Sequence, residues 1–219
     1  MKYARALRRA MRDFTTDAIS WVSTRADANL PGGFDEHITG LLLRLQQRVG
    51  PLFDRHARDV SRLNKRGLAA VGVKASDLGL DAEIAKRRDE NIQLVANAGR
   101  EYAQSVAEIF GEPSTIALRV EELKADLVER GNVSESRAEL IARDQTLKLN
   151  GAITQIRQEN AGITEYIWST SLDERVRETH AALEGQRFAW GTAPEVGHPG
   201  QDFQCRCVAL PVIAELEGL

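Results

Sequence analysis

The chain has 219 residues, a net charge of −3 and 42% hydrophobic residues, with only 5% aromatic residues. This composition is typical of a globular protein and excludes a disordered chain, a collagen and a coiled-coil rod. The longest apolar run, residues 38–43, is far shorter than the roughly 20 residues that span a membrane. The N-terminal sequence is basic but lacks the apolar core and cleavage site of a secretory signal, so we expect a protein built in a reducing cytosol.

The small net charge conceals an uneven distribution. Residues 1–66 contain 13 Lys and Arg against 7 Asp and Glu, whereas the rest of the chain contains 16 against 25. Basic surfaces attract phosphate groups and acidic surfaces repel them. A nucleic-acid or partner contact is therefore expected in the N-terminal third, and its candidate residues are Lys2, Arg5, Arg8, Arg9 and Arg12. The alternative is that these side chains form the solvated side of a surface helix.

The first part of the chain predicts helices, because apolar residues recur at steps of three and four. A first helix is expected over residues 4–28, followed by a linker at 29–33. In the next stretch, 35–66, Gly50 and Pro51 interrupt the pattern. Since proline disfavours a helix interior, this stretch predicts a hairpin of two short helices, suitable for docking onto a partner.

Further helices are expected up to residue 160. One begins at Asp81 and contains Gly99 in its apolar row, which indicates close approach of another backbone. Another begins near Ser114 and ends at Gly131, and a long helix covers 134–160. None of these helices carries a catalytic motif.

The pattern changes after Gly162. β-Branched and aromatic residues predict a strand at 163–170, and further short strands are expected at 187–190 and 205–212. A capping-box pattern at Ser171, or equally a cap at Asp173, predicts a short helix between the first two strands.

The predicted fold is therefore α+β, with a mostly helical N-terminal scaffold and a small C-terminal α/β module with short antiparallel strands. Three segments follow: a basic helix and linker (1–34), a helical scaffold (35–160) and the α/β module (161–219).

Both cysteines and two of the four histidines lie within 28 positions, as His180, His198, Cys205 and Cys207. In an extended segment residues two apart face the same side, so both sulfurs can point at one object while Arg206 points away. Their Cα atoms would lie about 6.5 Å apart, near the limit for a disulfide. Two thiolates and two imidazoles could form a structural zinc site.

Other interpretations of this cluster stay open. The spacing differs from usual zinc-finger patterns, and the cysteines could be small buried hydrophobic residues. A nuclease could use His180 and His198 as acid and base with Arg177 as a phosphate clamp. The chain lacks the phosphate-binding GxxxxGK[ST], the metalloprotease HExxH and the hydrolase GxSxG patterns, so we predict no enzymatic activity. Asp173 is expected to pair with Arg177 at a spacing of i and i+4.

The C-terminal segment contains an ordered set of elements: a tryptophan strand, an Asp-x-Arg-x-Arg-x-x-His helix, a Leu-x-Gly turn, a Pro/Gly loop and a final Cys-Arg-Cys. The residues that carry it are Trp168, Asp173, Arg175, Arg177, His180, Gly185, Cys205, Arg206 and Cys207. Over about residues 137–213 this pattern resembles the signature of phage Mu F-like minor head proteins, also called phage head morphogenesis proteins.

The resemblance implies a minor capsid protein located in the phage head, and in the host cytoplasm during assembly. Its implied partners are the portal protein, the major capsid protein or both, with packaged DNA as a further partner for the basic N-terminal third. No catalytic role is implied for the signature residues. Some relatives carry a toxin domain after the Cys-Arg-Cys motif, and we expect none there because the chain ends twelve residues after Cys207.

Overall fold

The computed structural model describes residues 2–25, 32–111 and 120–213. Its elements, in chain order, are α1 (Lys2–Ser23), α2 (Phe34–Ala70), α3 (Leu80–Gly111), α4 (Val120–Asn160), β1 (Glu165–Ser169), α5 (Glu178–Ala181), β2 (Arg187–Ala189) and β3 (Val208–Pro211). The predicted α+β fold class is confirmed. The predicted helix start at Ser114 and most of the predicted linker, 29–33, fall outside the described residues. None of the described helices is both long enough and apolar enough to cross a membrane.

The described residues group into two compact units, and each unit combines two separate stretches of chain. Unit 1 comprises residues 1–54 and 88–142, and unit 2 comprises residues 55–87 and 143–219. The segments predicted from the sequence, with boundaries after residues 34 and 160, are instead continuous stretches of chain. Whether those segments fold as separate domains stays a prediction.

Unit 1 is helical and has an aromatic and aliphatic core. Helix α1 buries Leu7 and Phe14 on one face, and the Phe14 ring meets the edge of Tyr102 with centroids 6.2 Å apart. The Tyr3 hydroxyl donates a hydrogen bond of 2.5 Å to Asn91 Oδ1, and burial raises the pKa of Tyr3. Apolar helix faces therefore account for the packing of this unit.

The predicted hairpin at Gly50 and Pro51 is wrong, because α2 continues through both residues. The apolar neighbours Val49 and Phe53 are fully buried, and this packing offsets the backbone hydrogen bond that proline removes. Pro51 itself is exposed. A Cβ atom on Gly50 would lie 3.5 Å from Ile92 Cδ1, so this glycine lies at a packing contact and does not end the helix.

Two other glycines in helices also mark packing contacts. The predicted helix end at Gly131 is wrong: α4 is continuous, and a Cβ on Gly131 would lie 3.5 Å from Thr15. Gly99 does lie at a close approach, as expected, but its neighbours are side chains and not a backbone. A Cβ there would lie 2.9 Å from Leu42 Cδ2.

Unit 2 contains a three-stranded antiparallel sheet with the order β2-β1-β3. In the central strand β1, Tyr166 and Trp168 point to the buried face while their neighbours are partly exposed. All three strands lie within the predicted stretches. The core on this face consists of Tyr166, Trp168, Trp190, Cys205, Cys207 and Ala209.

The predicted capping box at Ser171 and the alternative cap at Asp173 are both wrong, because α5 begins only at Glu178. The preceding residues form side-chain turns instead. Thr170 Oγ1 and Asp173 Oδ1 each accept a hydrogen bond from the backbone N–H two residues later, at 3.3 Å and 3.1 Å. Such turns compete with helical hydrogen bonds, which explains the late helix start.

Candidate functional site

Three of the four predicted metal ligands meet in unit 2. His180 comes from α5, and Cys205 and Cys207 lie just before β3. His180 Nδ1 lies 3.6 Å from Cys205 Sγ and 3.5 Å from Cys207 Sγ, and the three ligand atoms lie within 4.8 Å of one another. The residues are only 2%, 2% and 8% exposed. We call this group the Cys-His cluster.

Asp202 orients the imidazole of the Cys-His cluster. His180 Nε2 lies 3.1 Å from Asp202 Oδ2. A carboxylate oxygen only accepts hydrogen bonds, so Nε2 carries the proton. In the neutral ring, Nδ1 therefore presents a lone pair towards the two sulfurs.

The two cysteines are free thiols, in agreement with the expected difficulty of a disulfide. A hydrogen bond between the sulfurs lowers the pKa of Cys205, while the same contact and burial raise the pKa of Cys207. The backbone N–H of Gly200 also donates to Cys205 Sγ, at 3.4 Å. The buried indole N–H of Trp168 has no hydrogen-bond partner of normal geometry. Its contact with Cys207 opposes these effects and lowers the pKa of that thiol. The surroundings thus favour negative charge on Cys205 and keep the proton on Cys207.

A close contact between backbones positions the Gly200 donor. A Cβ on Gly151 in α4 would lie 2.6 Å from the carbonyl oxygen of Pro199. A Cβ on Gly200 would lie 3.0 Å from the carbonyl oxygen of Leu147, and Gly200 has φ +87. Only glycine allows this approach and this left-handed backbone. The Pro/Gly loop is therefore fixed against α4.

Two arginines of the signature connect the region around α5 to the segment before β3. Arg177 donates to Asp202 Oδ2 at 2.9 Å and to the carbonyl oxygen of Phe203 at 2.6 Å. Arg206 forms a bidentate ion pair with Asp173, and this pair lowers the pKa of Asp173 to about 2. The expected pair between Asp173 and Arg177 is wrong, because residues 173–177 are not helical. Arg206 lines the same pocket as Cys205 and Cys207, so its expected direction away from the sulfurs stays a prediction.

The turn after α5 explains two further signature residues. The backbone N–H of Gly185 donates to the carbonyl oxygen of Trp168 at 2.9 Å. Gly185 has φ +72, a conformation that other residues rarely adopt. The Leu-x-Gly turn thereby joins the central strand.

The Cys-His cluster lines one pocket of about 310 Å³. Four arginines line the same pocket: Arg143, Arg175, Arg177 and Arg206. Two of them form the ion pairs described above, so their positive charge is partly neutralised. The pocket gives solvent and small molecules access to the otherwise buried cluster.

His198 has a different environment and does not belong to the Cys-His cluster. Its Nδ1 lies 2.8 Å from the Tyr166 hydroxyl, and its ring lies 5.0 Å from the Trp190 ring. Burial lowers the pKa of His198, and a hydrogen bond to the Trp190 backbone acts in the opposite direction. His198 is thus absent from the pocket that His180 and Arg177 line, so the three side chains of the nuclease alternative do not share one pocket.

The basic residues predicted to contact nucleic acid or a partner lie on α1 in unit 1, and all are exposed. Arg8 and Arg12 bind the buried carboxylate of Glu135, with distances of 3.2 Å and 2.8 Å. Among the described residues, no ion pair involves Lys2, Arg5 or Arg9. The exposed positive charge of α1 is therefore concentrated on these last three.

Sequence reasoning missed Asp202 and Gly151, and it gave Asp144 no contact. Asp144 Oδ1 accepts a hydrogen bond of 2.8 Å from the backbone N–H of Gln204, next to Cys205. Asp202 lies between His198 and Cys205, so an acidic residue within the Cys/His segment was an available signal. Nothing in the local sequence marks Gly151.

Comparison with known proteins supports the resemblance. Residues 115–210 match the family described as "Phage Mu protein F like protein". A protein of Haemophilus influenzae named "Uncharacterized protein" is 44% identical over 124 residues, which is 56% of this chain and 28% of the relative. The chain therefore spans less than a third of that relative's length. No solved structure is significantly similar to the chain.

Proposed function

We propose that the protein, whose residues 115–210 belong to the phage Mu protein F like family, is a minor head protein that acts in phage head morphogenesis. It binds the portal or a neighbouring head protein during head assembly and DNA packaging, and it is not an enzyme. The family match is the observation that carries this proposal. The protein would then reside in the virion head, after assembly in the host cytoplasm.

The contacts of the signature residues support a binding role. Arg177 and Arg206 connect separate segments of unit 2, and Gly185 closes a turn on the central strand. These side chains fix a compact module and do not form a set of free acid, base and nucleophile. A rigid module of this kind is suited to forming a constant surface for another head protein.

Packaged DNA is a second partner in this proposal. Lys2, Arg5 and Arg9 are exposed residues of α1 in unit 1, within the basic N-terminal third. Cations on a surface bind phosphate groups without reading the base sequence. Such contacts suit a protein near the point where DNA enters the head.

The decisive experiment is deletion of the gene from its phage genome, with complementation by plasmid copies. Wild-type protein should restore infectious particles and should co-purify with procapsids and the portal. The variant Arg206→Ala, which loses the Asp173 pair, should restore fewer particles, whereas Arg62→Ala, which loses an exposed ion pair with Asp59, should act like wild type. Normal infectious particles from the deletion strain would contradict the proposal.

The non-enzymatic part of the proposal has its own test. Purified full-length protein should leave single- and double-stranded DNA and RNA intact, with and without divalent cations. Nuclease activity that disappears in His180→Ala would overturn this part and would support the alternative that the C-terminal cluster is catalytic.

A further inference from the structure

We propose that His180, Cys205 and Cys207 bind one Zn²⁺ ion, and that the fourth ligand is a water molecule in the adjoining pocket. The site would use His180 Nδ1 and the two Sγ atoms. It differs from the four-residue site expected from the sequence, because His198 takes no part.

The spacing of the three atoms fits a tetrahedral ion. With Zn–S near 2.3 Å and Zn–N near 2.05 Å, a tetrahedral angle gives an S···N separation of about 3.6 Å. The observed separations are 3.6 Å and 3.5 Å. Both sulfurs converge on one nitrogen, whose single Nδ1 lone pair can accept only one S–H hydrogen bond, while the other S–H can bond only to the neighbouring sulfur. A cation between the three atoms would accept a lone pair from the nitrogen and from each sulfur.

The groups around the ligands match those found around bound zinc. Metal-bound histidines usually donate their other N–H to a carboxylate, which fixes the ring and strengthens the bond to the metal. Asp202 accepts such a hydrogen bond from His180 Nε2, at 3.1 Å. Gly200 N–H donates to Cys205 Sγ, as expected for a thiolate that binds metal.

The fourth ligand must come from the pocket side. All three ligands line the pocket, and none of its other described lining residues is Asp, Glu, His or Cys. His198 is engaged by Tyr166 and the Trp190 backbone. Three protein ligands with an open position occur in zinc sites that hold a water molecule.

The ligand set selects the metal. Two thiolates and one imidazole favour zinc over magnesium, calcium or manganese, which prefer oxygen ligands. Two thiolates also neutralise the ion, so the buried site carries no net charge.

The test uses the full chain purified without chelator. Elemental analysis should give one zinc per chain, and Co²⁺ replacing it should give the intense visible bands of a tetrahedral ion with a thiolate charge-transfer band. Protein that contains no zinc and takes up neither Zn²⁺ nor Co²⁺ would overturn the proposal.

Variants identify the ligands. His180→Gln, Cys205→Ser and Cys207→Ser should each lose the Co²⁺ spectrum, whereas His198→Gln should keep it. Circular dichroism will show whether each variant folds. If a ligand variant does not fold, the wild-type cobalt spectrum and its loss on chelation still decide the question. Loss of metal from folded His198→Gln would overturn the three-residue site.

A matched pair tests the role of Asp202 as a positioning residue. Asp202→Ala and Arg177→Ala both remove the ion pair between these residues, but only the first removes the carboxylate on His180. Asp202→Ala should weaken zinc binding 10- to 100-fold, and Arg177→Ala should weaken it less. Equal affinities in the two variants would contradict this role.

The open position has a direct readout. Added imidazole or azide should replace the water and shift the visible bands of the cobalt protein. An unchanged spectrum at saturating concentrations would show a closed site and would overturn the proposed water ligand.

Discussion

The two units are stabilised in different ways. Unit 1 packs helices through apolar and aromatic side chains, as in the contact of Phe14 with Tyr102. Unit 2 buries Arg157 and Gln158 completely and joins α4 to a loop by backbone contact at Gly151. Apolar packing tolerates substitution when volume is preserved, whereas a buried polar group requires its particular partners. We therefore expect unit 2 to be the more sensitive to single substitutions.

The largest effect is expected at Arg157. Its side chain is 1% exposed, and it donates to Asp77 Oδ1, to the carbonyl and hydroxyl oxygens of Ser61 and to Asn64 Oδ1. Arg157→Met keeps most of the apolar volume but removes the buried donor from exposed Asp77 and from the partly buried Ser61 and Asn64. We expect a loss of about 3 kcal/mol in the free energy of unfolding, measured with urea.

Arg62 provides the control in the same unit. Its side chain is 62% exposed and pairs with Asp59 on the helix surface. Arg62→Met should change the free energy of unfolding by less than about 0.5 kcal/mol. Similar values for both variants would contradict the view that unit 2 depends on buried polar partners.

The difference between the units also explains what the sequence could predict. The helices of unit 1 follow from apolar residues at helical spacing, and β1 follows from its β-branched and aromatic residues. The meeting of His180 with the cysteines was predicted from their clustering in the sequence. The pairing of Asp202 with His180 was not, because Asp202 lies within the Cys/His segment but no pattern in the sequence assigns it a partner. Gly50 and Gly131 were misinterpreted because glycine favours both helix ends and close packing, and only the tertiary contacts distinguish the two.

Alanine substitutions at two glycines in helix interiors allow a direct comparison of packing in the two units. Gly151→Ala in unit 2 would place its Cβ 2.6 Å from a backbone carbonyl, which cannot move without shifting the loop. Gly99→Ala in unit 1 would approach Leu42 Cδ2, the flexible end of a side chain. We expect a loss of about 2 kcal/mol for the first and less than about 1 kcal/mol for the second, from urea unfolding.

Both substitutions gain the same helix propensity, so their difference isolates the contact. Gly67→Ala is the control, because Gly67 is an exposed residue of α2 with nothing within 4 Å of the added atom. It should stabilise the protein by about 0.5 to 1 kcal/mol. A loss at Gly151 no larger than that at Gly99 would show that the loop adjusts easily.

Glu135 tests the main charged contact of unit 1. Burial raises its pKa, but hydrogen bonds from Arg12 and Arg8 outweigh burial and hold the pKa below its usual value. A lowered folded-state pKa stabilises the protein above the unfolded pKa, and this contribution is lost as the pH falls through the folded value. Glu135→Gln should lose about 1 kcal/mol at pH 7, because its partners are half exposed.

The pH dependence distinguishes this ion pair from a packing effect. Urea unfolding of wild type and Glu135→Gln should differ at pH 7 and converge as the pH falls through the folded-state pKa of Glu135, which lies below its usual value, because the wild-type carboxylate then becomes protonated. A constant difference across this range would mean that the amide disturbs packing and that charge contributes little.

The smallest effect on stability is expected for the exposed cations of α1. A triple variant, Lys2→Gln with Arg5→Gln and Arg9→Gln, should change the free energy of unfolding by less than about 0.5 kcal/mol. Its binding to double-stranded DNA should nevertheless weaken. A plot of the logarithm of the DNA-binding constant against the logarithm of the salt concentration has a negative slope. Its magnitude should fall by up to about 3, one for each cation that no longer neutralises a phosphate.

A second triple variant separates a local DNA-binding surface from a general effect of charge. Lys74, Arg100 and Lys124 are exposed cations outside the basic N-terminal third. Their replacement by Gln changes the net charge by the same amount, but it should leave the salt slope unchanged if DNA contacts α1. Fluorescence anisotropy with a labelled duplex at several salt concentrations measures both slopes. Equal reductions in the two variants would assign DNA binding to overall charge and remove α1 as the contact surface.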